Sequence, residues 1–271
     1  CIEVNDQIYL IWIDQISKAL WLRILKVKEE VPENDNGYFL CDTKPRQLTK
    51  EIEINYDASF IIFRNKLLFS LCEINNKDYL FSLDLKKNKQ KIRKIQKFDN
   101  FAGNLSSNPQ GNLFSWIEWN SNYMPWEKNF LFFARIDNNG EIQEIKEFSN
   151  KVINQGKNVS FFQPYWISNN HLVCSEDSTG WWNLCFLDVT DIKNIVLKKR
   201  IIKSLTEYGT PQWTSGISFF SGTMKNLFCL AKKENSWILE KYENLLCMQE
   251  IVLPFSSIND FGTFDQKLFI R

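Results

Sequence analysis

Short apolar runs of roughly five to nine residues recur along the chain, separated by Asn, Asp, Gly, Lys and Pro, and a 3.6-residue period almost nowhere persists long enough for a helix. The pattern predicts an all-β chain. One run, Ile8-Tyr9-Leu10-Ile11-Trp12, returns as Lys66-Leu67-Leu68-Phe69-Ser70, Asn112-Leu113-Phe114-Ser115-Trp116, His171-Leu172-Val173-Cys174-Ser175, Asn226-Leu227-Phe228-Cys229-Leu230 and Lys267-Leu268-Phe269-Ile270. These six segments read as copies of one strand.

A second strand follows most copies after a polar turn: Leu20 to Val27, Tyr79 to Leu85, Phe130 to Ile136, Trp182 to Val189 and Trp237 to Tyr242. A third, richer in Lys and Glu, closes each unit, as in Lys91 to Phe98, Glu141 to Phe148 and Ile195 to Leu205, and suits an exposed sheet edge. A fourth precedes the next copy, marked by Pro109-Gln110-Gly111, Gln163-Pro164-Tyr165-Trp166 and Thr210-Pro211-Gln212-Trp213. Four strands repeating at intervals of roughly 40 to 60 residues fit the blades of a β-propeller better than a two-sheet sandwich, which would not repeat the same order. The expectation is one β-propeller domain over residues 1–271 of four-stranded antiparallel blades, four complete and one partial at each end. Because the chain starts with Cys1 and soon enters a strand-like segment, and stops at Arg271 inside a blade, it is expected to be a piece of a longer polypeptide.

Composition narrows the function classes. The chain carries 33 Lys plus Arg against 32 Asp plus Glu, so no global field draws it to nucleic acid, an anionic membrane or an acidic substrate. Lys86 to Lys94 reads as a solvated edge, because no aromatics interleave with it as a nucleic-acid site requires. No apolar run approaches the ~20 residues that span a bilayer, and the start shows no signal-peptide pattern. Cys72, Cys174, Cys185, Cys229 and Cys247 lie in apolar runs without a CxxC spacing, so buried reduced thiols and a cytoplasmic location are expected.

Catalytic chemistry is hard to place in these residues. The single histidine, His171, sits in the turn Ser168-Asn169-Asn170-His171, and no Gly-x-Ser-x-Gly elbow accompanies it, so it reads as a turn residue. No zinc-type ligand cluster, phosphate loop or dinucleotide fingerprint is visible, and no cofactor or metal is expected. Glu118, Glu127 and Asp177 are carboxylates of the type a glycoside hydrolase pairs, but Glu118 alternates with tryptophans along a strand and Asp177 opens the turn Asp177-Ser178-Thr179-Gly180. Two segments stand out from blade filler: Trp116 to Glu127, with Trp119 and Trp126, and Ser175 to Leu184, with Trp181 and Trp182. They read as aromatic braces between blades or as a surface that meets a ligand or second domain.

At these residues the sequence resembles the acylaminoacyl-peptidase or dipeptidyl-aminopeptidase-like branch of the prolyl oligopeptidase family of serine peptidases. Asn108-Pro109-Gln110-Gly111 with Leu113 and Trp116 is similar to that branch's "SPDG…LAW". Trp119 through Met124-Pro125-Trp126-Glu127 is similar to "WDHPNMPWD". Phe162 to Trp166 is similar to "FQPxW", Asp177 with Thr179 to Leu184 to "DRTGWWNLY", and Glu207 to Trp213 to "EFGGPQW". The run covers roughly residues 105 to 215; outside it only the strand rhythm agrees, with Pro45-Arg46-Gln47-Leu48-Thr49 a weaker echo. Asn120 and Asn122 replace Asp and Pro of the family text, Glu127 replaces its last Asp, and Cys185 stands where Tyr is usual.

The resemblance implies a seven-bladed ring, of which five to six blades are represented, followed by an α/β-hydrolase domain that carries the serine, aspartate and histidine. That domain lies outside this sequence, so no catalytic residue is assigned here. The intact protein is then expected to hydrolyse short peptides or acylaminoacyl compounds, with the propeller limiting access. Trp119, Trp126, Glu127, Asp177, Trp181, Trp182 and Asn183 are the candidates for shaping or bracing the face toward the hydrolase domain. The alternative is a stand-alone propeller that binds a partner without catalysis.

Overall fold

A computed structural model describes residues 2–4, 7–26, 44–50, 54–153, 158–212, 216–259, 261–264 and 267–271. Among them every regular element is a strand, in consecutive antiparallel sheets. The first sheet orders β1 (Ile2–Val4), β2 (Gln7–Ile13), β3 (Leu20–Lys26) and β4 (Arg46–Gln47) side by side. The second holds β5 (Asn55–Phe63), β6 (Leu67–Glu73), β7 (Asp78–Asp84) and β8 (Arg93–Lys97). The third holds β9 (Phe101–Ser107), β10 (Leu113–Trp119), β11 (Phe130–Ile136) and β12 (Ile142–Glu147), and the fourth β13 (Phe161–Trp166), β14 (His171–Glu176), β15 (Asn183–Asp188) and β16 (Val196–Ile201). In the fifth, two short pieces, β17 (Thr206–Glu207) and β18 (Phe220–Gly222), pair with β19 (Leu227–Lys233), followed by β20 (Ser236–Glu243) and β21 (Leu246–Leu253). A last pair joins β22 (Phe261–Phe264) to β23 (Lys267–Ile270).

The fold is an incomplete β-propeller of four-stranded antiparallel blades, and the six repeated runs are the second strands β2, β6, β10, β14, β19 and β23. Three details differ from the sequence reading. The first sheet has four strands where only part of a blade was expected, because Ile2–Val4 and Arg46–Gln47 pair at its two edges. The strand expected over Ile195 to Leu205 stops at Ile201, where a turn brings Leu205 into the left-handed region (φ 55°) and Thr206–Glu207 joins the next sheet. Cys247 is exposed on the outer strand β21, while Cys72, Cys174, Cys185 and Cys229 are buried thiols. Val27 and Trp213 lie outside the described residues.

Two compact units emerge, Cys1–Asp99 and Asn100–Arg271. In the first, Tyr9, Leu20 and Leu22 pack with Leu68, Phe81 and Leu83 between the two sheets. In the second, the fourth sheet is buried on both faces, as strand alternation requires. Leu172, Cys174, Cys185 and Leu187 face the third sheet with Ile117 and Phe133, while Val173, Leu184 and Phe186 face the fifth with Leu230 and Tyr242. Each fully buried side chain of this size contributes about 1.5–3 kcal/mol, so the inter-sheet layers dominate stability.

The chain must also leave and re-enter the sheets. Gly222 ends β18 at φ 131°, and a Cβ there would lie 2.1 Å from the Asn226 carbonyl oxygen. Gly222→Ala is expected to destabilise the chain by about 2–3 kcal/mol, through backbone strain and the clash. A urea unfolding midpoint unchanged from wild type would contradict this.

Candidate functional site

Antiparallel order dictates which loops share an end of a sheet. In the third and fourth sheets, the loops between second and third strands, 120–129 and 177–182, lie at the same end as the connections 148–160 and 202–205 between successive sheets. The turns 108–112, 137–141, 167–170 and 189–195 lie at the opposite end. Hydrogen bonds keep the sheets in step at both ends. At the turn end, Asn108 Nδ2 donates to the Asn169 carbonyl (2.8 Å) and the Gln110 amide donates to Asn169 Oδ1 (3.1 Å). At the loop end, Asn129, buried at the start of β11, donates through Nδ2 to the Pro125 carbonyl (2.7 Å) and the Phe161 carbonyl (2.8 Å), and its Oδ1 accepts from the Phe161 amide (2.8 Å).

All seven predicted site residues fall at the loop end. Trp119, the last residue of β10, stacks obliquely on Phe101 (centroids 5.9 Å apart) and covers Gly103, where a Cβ would come within 3.2 Å of its ring. Trp126 is half-buried against the aromatic layer between the fourth and fifth sheets. Glu127 is exposed and turns back on its own loop, its Oε2 accepting from the Met124 amide (2.8 Å). Trp181 is half-buried in the 177–182 loop. Trp182 is buried, edge-on to Phe162 (5.8 Å), which meets Phe219 (5.7 Å), and the Gly209 Cα sits so close that an added Cβ would be 3.2 Å from both the Trp182 and Phe162 rings. Asn183 is fully buried and braces the 202–205 turn: its Nδ2 donates to the Lys203 carbonyl (3.1 Å) and its Oδ1 accepts from the Lys203 amide (2.9 Å).

Asp177 Oδ1 accepts from the Ser160 amide (2.7 Å). Burial pushes its carboxyl up to about 6; the Ser160 hydrogen bond opposes that, while the like charges of Glu176 and Glu207 add to it. Burial likewise raises Glu207, whose Oε2 accepts from the Trp182 amide (2.6 Å). Glu176, wholly buried, takes a two-nitrogen contact from Arg200, with Nε at 2.9 Å and Nη2 closer, and Arg200 Nη2 also donates to Ser178 Oγ (2.6 Å). The loop is thus anchored by an ion pair and capped by a carboxylate that titrates near neutral pH.

The sequence reading missed several polar groups that hold these loops. Besides Asn129, Ser160, Glu176 and Arg200, they include Glu240, a buried carboxylate that accepts from Tyr208 Oη (2.9 and 2.8 Å), Tyr242 Oη (2.6 Å) and Lys203 Nζ (2.6 Å). A signal for Glu240 existed: Ile238, Glu240 and Tyr242 share one face of a strand by alternation, and a lone acid there demands partners. Asn129 and Ser160 carried no such signal, since loop text is polar anyway. Glu118 is a brace, accepting from Trp116 Nε1 (2.8 Å), and His171 bonds Ser168 Oγ through Nδ1 (2.9 Å) at the turn end. Among the described residues, no group of three or more His, Cys, Asp or Glu is placed to hold a metal ion, and no helix is long and apolar enough to cross a membrane.

At the loop end Phe101, Met124, Val152, Ile202 and Leu205 are exposed, Leu205 at 50% and Ile202 at 58%. At the other end Val196 and Leu246, the first residues of β16 and β21, are exposed as well, and Met248, Ile251 and Val252 are exposed along the outer strand β21. Exposed apolar side chains beside the motif-bearing loops make the loop end a candidate interaction surface.

No family model matches the sequence, and no curated protein matches it either. Solved structures do. A puromycin hydrolase complexed with PGG aligns over 94% of this chain and 38% of its own, with a TM-score of 0.73 and 16% identity. A Mycobacterium tuberculosis puromycin-hydrolyzing peptidase aligns over 96% and 40%, with a TM-score of 0.68 and 15% identity. Prolyl oligopeptidase B from Galerina marginata, bound to a 25mer macrocyclization substrate, aligns over 98% and 38%, with a TM-score of 0.60 and 8% identity. At these identities the likeness is one of fold, and this chain spans 38–40% of the length of these chains.

Two outcomes follow from the loop anchors. Arg200→Leu leaves Glu176 buried without its counter-charge and is expected to cost about 3–5 kcal/mol in urea unfolding, far more than an exposed pair such as Lys87 with Asp84 would. Asp177 binds its proton more tightly folded than unfolded, so its favourable contribution is full below about pH 4 and is lost as pH rises through about 6. Asp177→Asn should therefore flatten the stability profile between those values, by on the order of 1 kcal/mol after solvent screening. Parallel profiles for the two proteins would contradict the assignment.

Proposed function

We propose that this chain is the propeller part of a serine peptidase of the prolyl oligopeptidase type, a cytoplasmic enzyme acting on short peptides or acylaminoacyl compounds. Its loop end faces an α/β-hydrolase domain of the same polypeptide. The observation that carries this reading is the gathering of the motif-bearing loops, with Trp119, Trp126, Asp177, Trp181 and Trp182, at one end of the Asn100–Arg271 unit, where Phe101, Met124, Val152, Ile202 and Leu205 are also exposed. The fold likeness to peptidases with chains more than twice as long supports it. In this reading the propeller selects substrates sterically. Trp126 and Trp181, half-buried on rigid loops, present fixed aromatic area toward the cavity between domains, while Trp182 and Asn183 brace it from below. Catalysis belongs to the hydrolase domain.

The test is to express the parent polypeptide and assay acylaminoacyl and aminoacyl chromogenic substrates with and without a serine-directed phosphonate. Inhibitable turnover is the expected result; a parent without turnover would leave a binding scaffold. In the active enzyme, Trp181→Ala should relax the limit on peptide length with stability within about 1 kcal/mol of wild type. An unaltered length limit would remove Trp181 from the gate.

A further inference from the structure

Ser160 precedes β13 and is fully buried, and every polar atom it owns is spent on two loops of other strands. Its amide donates to Asp177 Oδ1 (2.7 Å) and its carbonyl accepts from the Asp177 amide (3.3 Å). Its hydroxyl donates to the Pro125 carbonyl (2.6 Å) and accepts from Asn129 Nδ2 (3.0 Å). Asn129 Nδ2 also reaches Pro125 (2.7 Å), so Asn129, Ser160 and Pro125 form a closed ring away from solvent in which the two N–H groups of Asn129 are shared among three acceptors, the Phe161 carbonyl (2.8 Å) included. Such a ring resists loosening at one member alone, because an orphaned buried donor or acceptor keeps its full desolvation cost. The carboxylate on the other side is itself crowded: Asp177 faces Glu176 with its partner Arg200 from β14 and β16, and Glu207 from β17.

We propose that Ser160 is a positioning residue that couples the 120–129 loop to the 177–182 loop, so that Trp126 and Trp181 are presented as one rigid surface. The use of that surface as a gate rests on the proposed function; the coupling does not. Loop 120–129 belongs to the third sheet and loop 177–182 to the fourth, and the hydroxyl touches only the former while the backbone touches only the latter. Ser160 thus touches both loops, beside the direct bonds of Asn129 to the backbone of Val159 and Phe161, and loosening one loop is transmitted to the other through it.

Amide hydrogen exchange on the full polypeptide tests this. Ser160→Ala is expected to speed exchange about tenfold at Glu127, Lys128 and Asn129, and also at Gly180 and Trp182. Gly180 bonds the Asp177 carbonyl and Trp182 bonds Glu207, so neither touches the deleted hydroxyl. Gly111 and Gly140 at the turn end should keep wild-type rates. Asp177→Ala should produce the reciprocal effect at 127–129 and serves alone if Ser160→Ala fails to fold, and Ser160→Thr, which retains the hydroxyl, should restore protection. Faster exchange confined to the loop that lost its own bond would overturn the coupling. Coupled exchange in a polypeptide without serine-dependent turnover would uphold it and overturn the peptidase reading; in an active enzyme, Ser160→Ala should also raise kcat/KM for long peptides relative to short ones.

Discussion

A sheet buried on both faces can place polar groups only along its edges or at its ends, and that constraint organises the Asn100–Arg271 unit. The fourth sheet shows it: the alternation of Leu172, Val173 and Cys174 on β14, and of Leu184, Cys185 and Phe186 on β15, sends successive side chains into two different apolar layers. Nothing polar fits between those layers without partners, so the amides, hydroxyls and carboxylates collect where strands turn. Asn129, Ser160, Glu176 and Asn183 are all buried within a residue or two of a strand end, and each is hydrogen-bonded. Inside the sheets, Glu240 is held by two phenols and a lysine, and the buried Ser115 of β10 accepts from Trp166 Nε1 (3.0 Å).

The same constraint links stability to surface. Loops 120–129 and 177–182 are not draped over the sheets; they are tied down by buried hydrogen bonds, so their aromatic side chains have defined positions. Trp182 and Phe162 fill one side of such a loop, and the glycine at 209 lets the next connection pass against both rings. What remains exposed, Met124, Ile202 and Leu205 with the half-buried Trp126 and Trp181, is apolar area held in place. Preorganised aromatic area is well suited to selecting partners by shape, because little conformational freedom is lost on contact.

Charge at the loop end follows from burial as well. Glu176 and Asp177 are adjacent in sequence but point into different surroundings: one is neutralised by Arg200, the other accepts from backbone amides, Ser160 among them, and is raised by burial to about 6. Their neighbour Glu207 is also raised by burial. The end therefore carries, in Asp177, a carboxyl group whose charge changes with modest acidification, beside exposed side chains both apolar and polar.

By itself the sequence determined the class of fold and the identity of the special loops. Period-two alternation, the repeated second strand and its turn residues are local, and local patterns survive without knowledge of what packs where; the paired tryptophans and the Asp177 to Gly180 turn were legible for the same reason. Tertiary structure alone decided the rest. That all seven candidates share one end follows from strand order, that Asn183 is a brace and Glu127 an exposed turn residue follows from burial, and Ser160 gains its role only because residues 35 positions before it and 17 after it in the chain meet there. A serine in a loop looks the same in sequence whether water or two other loops surround it, and only the packing of one sheet on the next removes the water.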